Sequence, residues 1–152
     1  MSQAANNGNA QEEMRKWLED PVAYERLWSG RRVDWFLQQL VSMANGEPSL
    51  EIGVTLTTPA GLISGTIISA RKYFKEFGEL FAAGTGGSSE LANMFAAQGE
   101  QPADGEVAFQ FLHLKNAVQL SAAGTVPTHE GTLWRGKIAD VAGFSIGAIE
   151  DR

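Results

Sequence analysis

Residues 50–81, LEIGVTLTTPAGLISGTIISARKYFKEFGELF, change periodicity partway along, and that change decides the fold. Ile52, Val54 and Leu56 alternate with Gly53, Thr55 and Thr57, the period-2 pattern of a strand with one buried face. Thr58-Pro59-Ala60-Gly61 then supplies a turn, because proline fixes φ and glycine is free to take φ > 0. A second β-rich run covers 62–68 with Gly65 at its middle, where a glycine marks a bulge or the close passage of another strand. Beyond Ser69, a predicted N-cap, Tyr73, Phe74, Phe77, Leu80 and Phe81 fall at helical spacing. The unit is a β-hairpin feeding an amphipathic helix.

Upstream, residues 1–10 (MSQAANNGNA) are small and polar and predict a disordered tail. A helical extension follows over 11–46. Its first part carries Met14, Trp17, Leu18, Tyr24, Leu27 and Trp28, interrupted at Asp20-Pro21, where proline opens a new helix. Val33, Phe36, Leu37, Leu40 and Val41 then recur at the spacing of a clear amphipathic helix, which stops at Asn45-Gly46 with Pro48 beyond. Two roles fit this extension. Its aromatic face covers one side of the β domain, or Trp17, Tyr24 and Trp28 form a docking arm for a partner or a second subunit.

Downstream of the organising unit, Gly84, Gly86 and Gly87 predict a flexible link, and Ser88 or Ser89 caps a short helix bearing Leu91, Met94 and Phe95. Residues 82–106, ending in a Gln-Pro-Ala-Asp-Gly loop, read as an insertion and as the mobile region, and with the preceding helix they give a helical insertion over 69–98. A phosphate-loop reading fails, since no lysine follows the glycines and a helix rather than a strand precedes them. The last third is β: Val107, Phe109, Phe111 and His113 alternate, Lys115-Asn116 is expected to turn the chain, and Val118 and Leu120 continue it. Residues 133–138 read as a strand with Gly136 at its centre, and Ala142-Gly143 turns into a final strand with Phe144, Ile146 and Ala148. The expectation is an α+β domain over 50–150. It consists of a small, bent antiparallel β-barrel or sheet, SH3-like or Sm-like, with an inserted helix and an N-terminal helical extension.

Composition narrows the function. The 152 residues are 43% apolar and 20% charged, suited to one compact domain plus an appendage. There is no cysteine, which excludes disulfides, thiolate metal sites and cysteine nucleophiles and accords with a cytoplasmic protein. A net charge of −6 and a pI near 4.9 oppose general nucleic-acid binding. No apolar run reaches the roughly 18–20 residues that span a bilayer, and the N-terminus lacks the basic and apolar regions of a secretory signal.

A catalytic centre needs a nucleophile, a base and an orienting group, and the residues offer little toward one. His113 lies on a strand among Phe109 and Phe111, the setting of a structural histidine, and His129 lies in a polar loop. Neither has a second ligand at helical spacing, so no catalytic, cofactor or metal residue is assigned. Asp140 either orients Lys137 or Arg135 or makes a surface ion pair. The most unusual cluster is Trp134-Arg135-Gly136-Lys137. It reads as a strand with Trp inward and its cations outward, or, through Arg135 and Lys137, as a basic contact surface for an acidic partner.

Three blocks carry a family resemblance: LISGTIISARKYFKEF (62–77), FLHLKNA (111–117) and LWRGKIADVAGFSIGAI (133–149). In this order and separation they resemble the gas vesicle accessory protein U (GvpU) family, over roughly 50–149. The resemblance implies a non-enzymatic, cytoplasmic accessory protein in a bacterium that makes gas vesicles. Such a protein is expected to assist vesicle assembly or clustering by contacts with shell or other accessory proteins and with further copies of itself. It carries over no catalytic residue. Two other readings are a regulatory or RNA-binding Sm-like module, which the acidic balance opposes, and a small-ligand-binding or hydrolytic domain using His113 or His129.

Overall fold

In the computed structural model, the described residues are 12, 15, 16, 19–22, 32–100, 109–127 and 129–149. The chain divides into two units, 1–34 and 35–152. In the first, Asp20 Oδ1 accepts from the Val22 amide at 2.9 Å, so Asp20 caps a helical turn opened by Pro21, as the Asp-Pro pair predicts. Trp17, Tyr24 and Trp28 lie outside the described residues.

The second unit begins with α1 (Trp35–Ala44), followed by β1 (Ile52–Thr58) and β2 (Gly61–Ile68). Two helices come next, α2 (Ala70–Gly84) and α3 (Ser89–Gly99). The chain closes with β3 (Phe111–Ser121), β4 (Gly124–Val126), β5 (Thr132–Lys137), a 3-10 turn at Ile138–Asp140, and β6 (Gly143–Ile146). The strands form one six-stranded antiparallel sheet in the order β4-β3-β2-β1-β6, with β5 also on β3. The expected hairpin pairs Val54 with Gly65 and Leu56 with Ile63.

The barrel is where the expectation needs correction. The sheet is open, with β6 at one edge and β4 and β5 sharing the other. Closure requires the two edge strands to meet with a consistent stagger. Here the edges are short, four residues in β6 and three in β4, and each bonds to a single neighbour. An SH3-like or Sm-like identity therefore does not follow.

A second correction concerns Lys115-Asn116. The chain does not turn there. It runs on as one 11-residue strand with a β-bulge, and Asn116 takes φ = 51°. The bulge appears on both sides of β3: Ser64 to Thr66 of β2 faces Val118 to Lys115, and Trp134 to Thr132 of β5 faces Leu114 to Ala117. One extra residue on β3 thus shifts both ladders, and the alternation of its side chains changes face at that point. Gly65 lies opposite the bulge, where a Cβ would meet the Lys115 carbonyl oxygen at 3.0 Å, so the glycine marks a close strand passage as the pattern predicts.

Register sorts the core. Val54, Leu56, Ile67, Leu112 and Leu114 share one face and are fully buried. Side chains of this kind contribute about 1.5–3 kcal/mol each on full burial. Helix α1 covers this face with Leu37, Leu40, Val41 and Ala44, and its Phe36 ring meets Phe144, the cross-strand neighbour of Leu56, at 5.9 Å. Gln38 Nε2 also donates to the Phe109 carbonyl at 2.8 Å. On the opposite face Ile68 and His113 are buried, and Tyr73 of α2 lies against the His113 ring at 4.5 Å. Asn45 Oδ1, just past α1, accepts from the Ala70 amide at 2.8 Å and ties the two helices together where β2 ends.

Candidate functional site

Strand β5 holds the two described residues expected to contact a partner, and the structure treats them differently. Arg135 stands opposite His113 across the ladder, and its Nε donates to His113 Nε2 at 3.2 Å. The guanidinium carbon also lies 3.8 Å from the centre of the Phe111 ring, a cation–π distance. Lys137 is exposed, and no ion pair engages it among the described residues. Nor does one join Asp140 to either cation; Asp140 closes the 3-10 turn. Trp134 is half-buried with its indole laid back over Gly136. Cations on an edge strand oppose pairing with another sheet, which gives this cluster a physical role independent of any partner.

His113 is a structural histidine. Burial, and secondarily the charge of Arg135, lower its pKa from 6.5 to about 4, so it is neutral at physiological pH. Because Nε2 accepts from Arg135, Nδ1 carries the proton, and that atom has no hydrogen-bond partner among the described residues. His129 is exposed at the rim of a 440 Å³ cavity shared with Thr66, Asn116, Glu130 and Ile149, which His113 does not line. Among the described residues no group of three or more histidines and carboxylates is placed to hold a metal ion.

A charged cluster braces the same face. Glu51 receives Lys72 Nζ at 2.5 Å on one oxygen and Lys115 Nζ on the other, and these two hydrogen bonds lower its pKa. The two lysines belong to α2 and β3, so the carboxylate just before β1 pins helix to sheet. At 25–40% exposure these pairs are screened, and they serve register more than stability.

The helical pair α2–α3, whose position in the sequence suggested only an insertion, leaves apolar side chains exposed. Ser69 caps α2 by accepting from the Lys72 amide at 3.1 Å, and Ser88 caps α3 through the Leu91 amide at 3.5 Å. Between them the three glycines form a helix stop. Gly86 and Gly87 take φ of 94° and 82°, and the Gly87 amide donates to the Ala82 carbonyl at 2.6 Å, the bond of a Schellman cap. The helices pack closely where Gly78 faces Ala92; a Cβ on Gly78 would come within 2.6 Å of the Ala92 carbonyl oxygen. Rings continue up the pair from Tyr73 to Phe77, Phe81 and Phe95 at 5.0–6.2 Å spacings. Yet α3 buries none of its residues, and Leu80 and Met94 are 64% and 53% exposed. Sequence reasoning found the ingredients of this surface in Leu80, Phe81, Leu91, Met94 and Phe95. It missed the signal that joins them: the small residues Gly78 and Ala92, which permit close helix contact.

Two features of the whole chain complete the picture. No helix among the described residues is long and apolar enough to cross a membrane. A protein-family model described as "Gas vesicle protein GvpU-like" matches residues 34–149. No curated protein and no solved structure matches significantly.

Proposed function

Because the chain belongs to the GvpU-like gas vesicle protein family over residues 34–149, we propose that it is a non-enzymatic gas vesicle accessory protein, an adaptor that helps assemble or cluster vesicles. The family match carries this reading. It works in the cytoplasm beside the vesicles, touching shell or other accessory proteins and further copies of itself. Its surface supports the adaptor role, since the two histidines form no common site and apolar side chains remain outside the core.

Self-association is assigned to the β6 edge. That strand reads Gly143-Phe144-Ser145-Ile146, carries no charge, bonds only to β1 and leaves Ile146 65% exposed. The opposite edge carries Arg135 and Lys137, which disfavour strand addition there. Lys137, with Arg135 beside it, is then free to contact an acidic partner surface. The N-terminal aromatic residues Trp17, Tyr24 and Trp28 supply the docking arm.

An adaptor that both binds vesicles and pairs with itself makes vesicles cluster. The expected result is growth of particle size when the protein is titrated into a suspension of purified gas vesicles. Ile146→Lys binds but does not cluster. No size change with the native protein at saturation would contradict the proposal.

A further inference from the structure

We infer that the open side of the α2–α3 hairpin is a groove for an amphipathic helix with basic flanks, supplied by a partner protein. The inference deepens the adaptor reading and rests on it for the partner's place in the cell, but the groove itself is argued from geometry.

The stripe of α2 that meets the sheet at Tyr73 continues through Phe77 and Leu80, three and four residues apart, so these side chains stand on one helix face. Only the start of this stripe has sheet beside it: Tyr73 is buried against His113, whereas Leu80 is exposed. The Phe95 ring of α3 touches both Phe77 and Phe81, which brings the two helices' apolar faces to the same side of the pair. Leu91 lies one turn before Phe95, and Met94 lies beside it. Phe77, Leu80, Phe81, Leu91, Met94 and Phe95 thus form a two-helix trough with no charged member. Two adjacent helices with an apolar seam take a third helix by ridges-into-grooves packing.

Charge decides the kind of helix. The first turns of α2 carry Arg71, Lys72 and Lys75, but beyond them, from Glu76 to Gly99 where the trough lies, the hairpin carries Glu76, Glu79 and Glu90 and neither lysine nor arginine. Glu76 stands one turn before Leu80 and Glu90 one turn before Met94, so an acidic side chain borders the trough on each helix. Lys72 approaches Glu76 only at 3.9 Å, and Glu90 has no ion-pair partner among the described residues. A second hairpin of this chain seated there would bring the same three glutamates over the trough, its cations being confined to the first turns of α2, where Arg71 and Lys72 are paired with Glu47, Glu100 and Glu51. A helix with leucine-like anchors and lysine or arginine beside them meets both requirements.

The test uses the full chain and two labelled 18-residue model peptides, one a leucine/lysine amphipathic helix and the other its leucine/glutamate counterpart, followed by fluorescence anisotropy. The basic peptide binds, the acidic one does not, and added salt weakens the complex. Leu80→Glu or Met94→Glu, both at exposed positions, weakens binding by about tenfold or more with an unchanged thermal melt. Glu76→Gln with Glu90→Gln flattens the salt dependence. Equal binding of both peptides, binding of neither, or full binding by the Leu80 and Met94 variants overturns the inference. So does a fall in molecular mass of the Leu80→Glu variant, which makes a second copy the occupant. So does tight peptide binding that appears only after Trp28→Ala, which makes the chain's own N-terminal segment the occupant. Vesicle clustering by the native chain, measured beside its peptide binding, separates the two readings. Clustering without peptide binding removes the groove and leaves the adaptor, and peptide binding without clustering does the reverse.

Discussion

At the residue scale, His113 shows how burial converts a titratable group into a structural one. Its folded pKa is about 4 against an ordinary 6.5, so between those values the unfolded chain binds a proton that the folded chain does not. Its contribution is complete above pH 6.5 and is lost as pH falls toward 4. The integrated loss is on the order of 3 kcal/mol. Urea unfolding of the native chain should show this slope, and His113→Phe should flatten it in that window. Glu51, whose pKa is lowered from 4.5 by its two lysines, adds a second loss that begins only near and below that value. Single residues with local roles were the most legible part of the sequence. Ser69 as a cap and Gly65 at a close passage need only neighbours in the chain to be recognised. Asn116 was not legible, because the same left-handed asparagine serves a turn or a bulge, and only the partners of β3 decide between them. The Arg135–His113 bond was hidden for a related reason: 22 residues separate the pair, and their meeting depends on strand register.

At the scale of elements, the helical pair turns on Gly78. On an exposed helix, glycine to alanine stabilises by about 1 kcal/mol through lower backbone entropy in the unfolded chain. Here the added methyl would come within 2.6 Å of the Ala92 carbonyl oxygen, a backbone atom that moves only if α3 moves. Gly78→Ala should therefore destabilise, by about 1–3 kcal/mol, the usual range for overpacking. Hydrogen exchange should show α3 losing protection more than β1–β3. A stabilised Gly78→Ala protein would show that α3 does not pack on α2 in this way. The hairpin's existence was readable from periodicity and caps, but its packing was not, since nothing local to Gly78 records that Ala92 faces it. The open sheet was misread as a barrel for a comparable reason. Strand count and internal glycines are common to both architectures, whereas closure depends on whether β6 reaches the β4–β5 edge, which no local pattern records.

At the scale of the whole molecule, α1 buries Leu37, Leu40, Val41 and Ala44 against the sheet, while β6 presents an uncharged strand edge and the helical pair exposes Leu80, Phe81 and Met94. If β6 is the self-association edge, Ile146→Lys should lower the mass measured by light scattering toward that of one 16.4 kDa chain, with an unchanged circular dichroism spectrum. Persistence of the native mass would move self-association elsewhere on the molecule. The family was legible from three sequence blocks, and the structure gives a physical reason for some of their residues: the Gly65 passage, the Asn116 bulge and the Trp134 indole laid over Gly136. These are folding constraints, so they mark the family without marking a site. The candidate site lies in side chains that the fold leaves exposed, and for that reason no motif announced it.

The central claim is association with gas vesicles, and co-flotation tests it most directly. Full-length protein is mixed with purified buoyant vesicles and centrifuged at low speed, and the floating layer is assayed for the chain. The account predicts saturable recovery in that layer, with none floating when the vesicles have been collapsed by pressure beforehand. Protein that stays in the subnatant at every concentration, though folded by circular dichroism, would contradict it.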